Sequence, residues 1–287
     1  MVKIPELRPS PIAGRWYEGD PQALARQVDA FLSHARLPEL KGEVVALIAP
    51  HAGHIYSGRT AGYAFRAVMG RSYNRVAVIS PLHRGLYSDP LLTTAHQAYQ
   101  TPLGALPVDR PALDALETTL QQQSGIGLKA VSFDEEHSIE IELPFLQRAL
   151  TGEFKLLPIM IHSQDPKVAA ALGRALAQVI QSQPDKPTLL VASTDLSHFF
   201  TEEEAARLDN EMLRQIAAFS PEGVFEVEFS GKGSACGVAA VAAVLVAAKL
   251  LGGTKVEVLH HSTSGDVTGD HLQVVGYGAA VVLRIFD

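Results

Sequence analysis

Val44-Val-Ala-Leu-Ile-Ala-Pro50-His51-Ala-Gly-His54-Ile-Tyr56-Ser-Gly58 reads as a β-strand that leaves through a glycine-bearing loop into a helix. Its first six residues are continuously apolar, the pattern of a strand buried on both faces. Comparable runs recur at 75–80, 155–161, 189–193, 255–260 and 272–285. Helix-periodic stretches alternate with them at 21–35, 58–69, 111–123, 138–149, 166–182, 202–219 and 237–251. Strand and helix in alternation predict an α/β fold with a central, largely parallel or mixed sheet and helices on both faces. The final run contains Gly276 and Gly278 and reads either as one long strand or as a hairpin. No repeat, low-complexity tract or Gly/Ser/Pro linker divides the chain, so residues 1–287 are expected to form a single domain.

With 47% hydrophobic and 19% charged side chains in 287 residues, the chain can bury a large core and carries no mark of extended disorder. A net charge of −7 and the lack of a Lys/Arg run argue against nucleic acid as a partner. The apolar stretch 235–251 is Ala-rich, contains Lys249 and falls short of the roughly 20 residues a membrane span needs. It is expected as a buried helix, with no membrane partner. The first twenty residues lack a signal-peptide core, and their prolines argue against a transit helix, so a cytoplasmic location is expected. One cysteine, Cys236, cannot make an internal disulfide, which fits a reducing compartment.

Three strands end in the same chemistry. His51 follows the run 44–50; the run 76–80 leads into Pro81-Leu-His83-Arg-Gly85; and 189–193 delivers Thr194-Asp195-Leu-Ser-His198. Ligands of open α/β sheets bind outside the carboxyl ends of the strands, where residues distant in sequence meet. Imidazoles and carboxylates converging there suit a divalent first-row metal. Each histidine alone is equally well explained as a hydrogen-bonded loop residue; their recurrence at three strand ends carries the argument.

Gly231-Lys-Gly-Ser-Ala-Cys236-Gly237 opens the Ala-rich helix, which places the sulfur near a helix N-terminus, where the macrodipole favours thiolate, a ligand and a nucleophile. A small buried cysteine packing like alanine is the plainer alternative. Asp134-Glu-Glu-His137-Ser-Ile-Glu140 precedes an apolar run; its acids are ordinary helix-start chemistry, whereas His137 reads either as an imidazole entering the cleft to orient substrate or shuttle protons, or as a plain surface histidine. Glu142 is left unassigned. His51 and His54 are three apart on a glycine-bearing loop, so the HExxH helical spacing does not apply, and no dinucleotide or Walker fingerprint is present. Nucleotide cofactors are not expected. Of His260 and His261, adjacent on a strand, at most one can face the pocket.

Six motifs stand in order along almost the whole chain: Ala13-Gly-Arg-Trp-Tyr17, Ile48-Ala-Pro-His-Ala-Gly53, Ser80-Pro-Leu-His83, Asp134-Glu-Glu-His-Ser-Ile-Glu140, Ser193-Thr-Asp-Leu-Ser-His198 and Cys236-Gly237. In these the chain resembles the Memo family, whose bacterial and archaeal members are often called AmmeMemoRadiSam system protein B. That resemblance implies a fold like the class III extradiol dioxygenases. It also implies metal ligands at His51, His83 and Cys236, with Asp195 and His198 lining the same pocket. The related dioxygenases hold Fe(II) with two histidines and a glutamate, and a cysteine here replaces the glutamate, favouring one ion of copper or of iron at altered potential. His198 matches the dioxygenase acid/base, and Asp195 orients it or joins the coordination sphere. His137, His54, Tyr56 and Glu140 are expected to contact substrate. The family name associates such proteins with a radical-SAM protein and an AMMECR-type protein.

Three functions follow from these expectations. The first is a non-haem iron or copper oxidoreductase of dioxygenase-like fold, acting with O2 on a small substrate. The second is a peptide- or partner-binding module, since eukaryotic relatives are described as phosphotyrosine-peptide adaptors; phosphate recognition would draw on Arg84, Arg59 and Lys232. The third is a hydrolase with Cys236 as nucleophile and His198 or His51 as base.

Overall fold

The computed structural model describes residues 6–85 and 87–286. Its strands are β1 (Leu7–Arg8), β2 (Glu43–Ala49), β3 (Arg75–Pro81), β4 (Leu91–Thr94), β5 (Ala98–Thr101), β6 (Gly104–Pro107), β7 (Lys129–Val131), β8 (Lys155–Ile161), β9 (Thr188–Ser193), β10 (His198–Phe200), β11 (Lys255–Thr263) and β12 (Val274–Arg284). The helices are α1 (Pro21–His34), α2 (His54–Arg66), α3 (Arg110–Ser124), α4 (Leu143–Ala149), α5 (Pro166–Gln181), α6 (Glu202–Ala217), α7 (Pro221–Phe229), α8 (Val238–Leu250) and α9 (Gly265–Thr268).

β2, β9, β3 and β8 run parallel as neighbours and form the centre of a mixed sheet. β12 continues it antiparallel beside β2 and carries β11 and β10, while β4 lies antiparallel on β8 with β7 beyond it. β1, β5 and β6 form a separate three-stranded sheet. The continuous apolar runs are explained by burial: every residue of β3 and all but the first of β2 are buried. α8 packs on β2, β3 and β9 and is backed by α5, whereas α2 packs on β2 and β12 and is backed by α1. One α/β domain with a mixed sheet results.

Aspartate and serine start several helices where proline follows. Asp20, Asp165 and Ser220 each precede a proline at the first helical position and accept a backbone N–H of the first turn, satisfying donors that a helix start leaves free. Two expectations change. Residues 138–149 divide into a 3-10 turn, Glu140–Glu142, and the short α4, with Pro144 in its first turn. The helix expected from 58 starts at His54, because Gly53 caps it by backbone alone and offers no side-chain signal. The 235–251 stretch is a buried helix, and no helix among the described residues is long and apolar enough to cross a membrane.

Candidate metal site

Because β2, β9 and β3 are adjacent and parallel, the loops leaving their carboxyl ends meet. They bring His51, Asp195 and His83 to one cleft. Asp195 Oδ1 accepts the backbone N–H groups of His51 (2.8 Å) and Ala52 (3.3 Å), which locks the loop after β9 to the loop after β2. The loop after β3 is held by Glu136, whose Oε2 accepts the backbone N–H groups of His83 and Arg84. Oε1 of the same carboxylate accepts from His83 Nδ1 (3.1 Å), from the N–H of His137 (2.9 Å) and Ser138 (3.0 Å), and from Ser138 Oγ (2.9 Å). Burial opposes the Glu136 charge, but the bonds from His83 and the neighbouring His137 ring outweigh it and hold the carboxyl below its usual range.

His51, His83 and His137 each offer a ring nitrogen to a group in which these atoms all lie within 4.8 Å of one another. Such a trio can hold a metal ion. Ser193 Oγ meets His51 Nδ1 at 3.0 Å and Glu136 takes His83 Nδ1, so each ring is oriented through one nitrogen, the arrangement that metal-binding histidines need. His137 Nδ1 is buried 3.2 Å from Glu136 Oε1, without the geometry of a hydrogen bond. Burial pushes the His51 pKa well below its ordinary value, with His83 and His137 adding to the effect. Burial likewise lowers His137 to about 4. Neutral imidazole is the form that ligates, so the donor chemistry fits a divalent first-row ion.

Cys236 lies outside this trio, against its edge. Its Sγ is 3.2 Å from His51 Nε2 and accepts the Asp195 N–H at 3.2 Å. The expected thiolate is not what the site favours: Cys236 precedes α8 by two residues, and burial raises the thiol pKa, reinforced by Asp195. Gly237 makes the tight approach possible, since a Cβ there would collide with the Ser193 carbonyl.

A cavity of about 630 Å³ opens above these groups. His51, His83, His137, Asp195 and His198 share its lining with Trp16, Tyr56, Phe199 and Tyr277 and with Arg15 and Arg84. Asp195 is pushed up to about 7 by burial, against the two backbone bonds it accepts. His198 is lowered by burial, and its Nδ1–H donates to Leu196 O (2.8 Å), leaving Nε2 as an acceptor. Phe199 is exposed yet held at φ 63, a left-handed backbone rare for an aromatic residue and one that stores strain at a cleft.

Two expected substrate contacts lie elsewhere. His54 is fully buried behind the cleft, its Nε2–H donating to Ile141 O (3.0 Å) among the rings of Tyr17, Phe31 and Phe145. As the first residue of α2 it points into the packing against α1 and α4. Glu140 is also fully buried; it pairs with Arg8 at 2.7 Å and accepts from Tyr17 (2.8 Å) and Ser10. His260 and His261 miss the main cleft as well and share a smaller pocket with Tyr56 and Arg59. A register shift after Val258 breaks the strict alternation that would have separated them. The anchoring role of Glu136 leaves no signal in the sequence, where it reads as one of the acids of a helix start. Phe199, adjoining His198, carried no sequence signal beyond that adjacency.

The chain matches the Memo-like protein family over residues 8–281. It is 32% identical over 277 residues to a MEMO1 family protein of Nitrosopumilus maritimus, covering 95% of this chain and 98% of that one. It is 33% identical over 282 residues to one of Methanopyrus kandleri (95% and 98%), and 33% identical over 279 residues to one of Saccharolobus islandicus (94% and 96%). With that coverage and the motif loops assembled around one cleft, the chain belongs to the Memo-like family.

Proposed function

We propose that the cleft is the active site of a metal-dependent oxidoreductase related to the class III extradiol dioxygenases, acting with O2 on a small substrate in the reducing cytoplasm. The observation that carries this reading is the convergence of three imidazoles at the base of an aromatic-walled cavity. His51, His83 and His137 would hold one iron or copper ion, with Cys236 as an adjacent donor whose thiol proton is released on binding. Such an ion supplies Lewis acidity and one-electron chemistry toward O2. His198 Nε2 accepts and returns a proton, and Asp195 holds one at its carboxyl near neutrality. Trp16, Tyr56, Phe199 and Tyr277 exclude water and favour a flat, apolar substrate body, while Arg15 and Arg84 offer charge to an anionic substituent.

The two competing readings find less support. Of the cations expected to recognise phosphate, Arg84 lines the cleft, but Arg59 lines the smaller pocket and Lys232 lies beside Arg207 and Arg214. A Cys/His hydrolase needs an exposed thiolate, whereas Cys236 is not among the cavity's lining residues and its thiol pKa is raised. Anaerobically purified protein titrated with Fe(II) or Cu ions in a calorimeter tests the proposal. One ion is expected to bind tightly, and His51→Ala and His137→Ala are each expected to weaken it at least 10-fold. Wild-type protein that binds neither ion overturns the reading.

A further inference from the structure

Behind His51, on the side away from the cavity, Ser193 Oγ sits among three polar partners: Ser138 O at 2.7 Å, Glu142 Oε1 at 2.8 Å and His51 Nδ1 at 3.0 Å. Ser138, Ser193 and Glu142 are all 0% exposed, so bulk solvent does not reach them. Proton counting then becomes decisive. A hydroxyl has one hydrogen and two lone pairs, and the Ser138 carbonyl can only accept. If the hydroxyl hydrogen satisfies that carbonyl, both remaining partners must donate to Ser193. Glu142 must then be a neutral carboxylic acid, and His51 must carry its hydrogen on Nδ1. Glu142 Oε2, buried with no partner among the described residues, agrees: an ionised carboxylate with one bare oxygen in the interior is far costlier than an acid whose carbonyl is bare. Burial, helped by the nearby Asp195, also drives the Glu142 pKa well above the carboxylate range.

We infer that Ser193 is a positioning residue: with its hydrogen held by the Ser138 carbonyl and a neutral Glu142 on its other lone pair, it fixes His51 as its Nδ1–H tautomer and so keeps the Nε2 lone pair available to a metal. The inference rests on the metal-site reading for its consequence, but the tautomer is a property of the metal-free protein. An ionised Glu142 would draw the Ser193 hydrogen to itself and leave the Ser138 carbonyl bare. In either state an acceptor other than His51 takes the Ser193 hydrogen, so His51 donates from Nδ1; only loss of the hydroxyl itself frees Nδ1 and lets the imidazole hydrogen move to Nε2, the ligating atom. Glu142→Gln and Glu142→Leu both leave Ser193 donating to the Ser138 carbonyl; Ser193→Ala removes the contact to His51.

The test compares wild type, Glu142→Gln, Glu142→Leu and Ser193→Ala by two readouts. Histidine-selective 15N NMR of the metal-free proteins reports the His51 tautomer, and anaerobic calorimetry with Fe(II) alone reports affinity. Wild type and Glu142→Gln are expected to show the Nδ1–H form and Fe(II) affinities within about 3-fold of each other. Ser193→Ala is expected to lose the uniform Nδ1–H signal and to bind Fe(II) roughly 10- to 100-fold more weakly, whereas Glu142→Leu is expected to keep the Nδ1–H form. If Ser193→Ala does not fold, the tautomer of His51 in wild type decides the inference. A folded Ser193→Ala protein with His51 still wholly Nδ1–H and unchanged affinity overturns the inference, as does a folded Glu142→Leu protein that loses the Nδ1–H form. So does a wild-type His51 protonated on Nε2. Wild type that shows the Nδ1–H form but binds no Fe(II) overturns the metal reading instead, and the two failures are separable.

Discussion

Glu136 concentrates much of the site's geometry in one carboxylate. It accepts from four backbone N–H groups within the two loops that carry His83 and His137, in addition to the His83 ring and Ser138 Oγ. Replacing it by alanine strands these buried donors, so Glu136→Ala is expected to weaken metal binding about 10- to 100-fold while His83 and His137 remain in place. Calorimetric titration with Fe(II) measures this; unchanged affinity would show that the loops hold without it. His54 makes a prediction of a different kind. Burial lowers its pKa to about 4, against about 6.5 for an unfolded histidine. The unfolded chain therefore takes up the proton first as pH falls, and the contribution present above pH 6.5 is lost progressively toward pH 4. Across that window wild type should lose on the order of 3 kcal/mol more than His54→Gln, read from urea unfolding at each pH. At this scale the sequence located His51, His83, Asp195 and His198 because strand ends are legible from apolar runs. It placed His54 and Glu140 at the cleft wrongly: Gly53 caps α2 without a side-chain signal and so hides the direction of His54, and Glu140 turns inward to the buried Arg8.

At the scale of elements, the buried parallel strands and the aspartate- or serine-capped helices were legible because each writes a strong local pattern. The short strands β4 to β7, of three or four residues, were not, since pairing with β8 and within the small sheet, rather than their own periodicity, makes them strands. β12 settles the ambiguity of the last run by passing unbroken through Gly276 and Gly278. The two glycines serve different ends. A Cβ at Gly276 would overlap the Asp209 carboxylate, which is fully buried and held by the Ser197 N–H (2.9 Å) and by His261 Nε2 (2.8 Å). A Cβ at Gly278 would instead press on the ends of the Leu213 and Leu196 side chains, which can turn aside. Gly276→Ala is expected to cost roughly 3 kcal/mol by separating α6 from β12, and Gly278→Ala about 1 kcal/mol. Urea unfolding midpoints of the two variants check the order; equal costs would mean that Asp209 yields as readily as leucine.

For the whole molecule, the site joins parts of the chain that are far apart in sequence: β2, β3 and β9 supply three loops, the 134–138 segment supplies Glu136 and His137, and the residue before the α8 cap supplies Cys236. That breadth is why composition and periodicity could anticipate a cleft but not its full membership: the 134–138 segment is tied in by Arg8, a buried cation on β1 that pairs with Asp134 at 2.7 Å and with Glu140. Such a site exists only in the folded chain, so any ion it binds must stabilise the fold by mass action. At a free metal concentration of 100 times Kd the gain is about 2.7 kcal/mol. For a chain of this size that corresponds to a rise of roughly 4 °C in Tm. Anaerobic thermal unfolding with and without Fe(II) should show the rise, and an added chelator should reverse it. His51→Ala should remove the shift while leaving the metal-free Tm close to wild type. A shift that persists in His51→Ala would place the ion elsewhere, because His51 is the member of the trio that also touches Cys236 and anchors on Ser193.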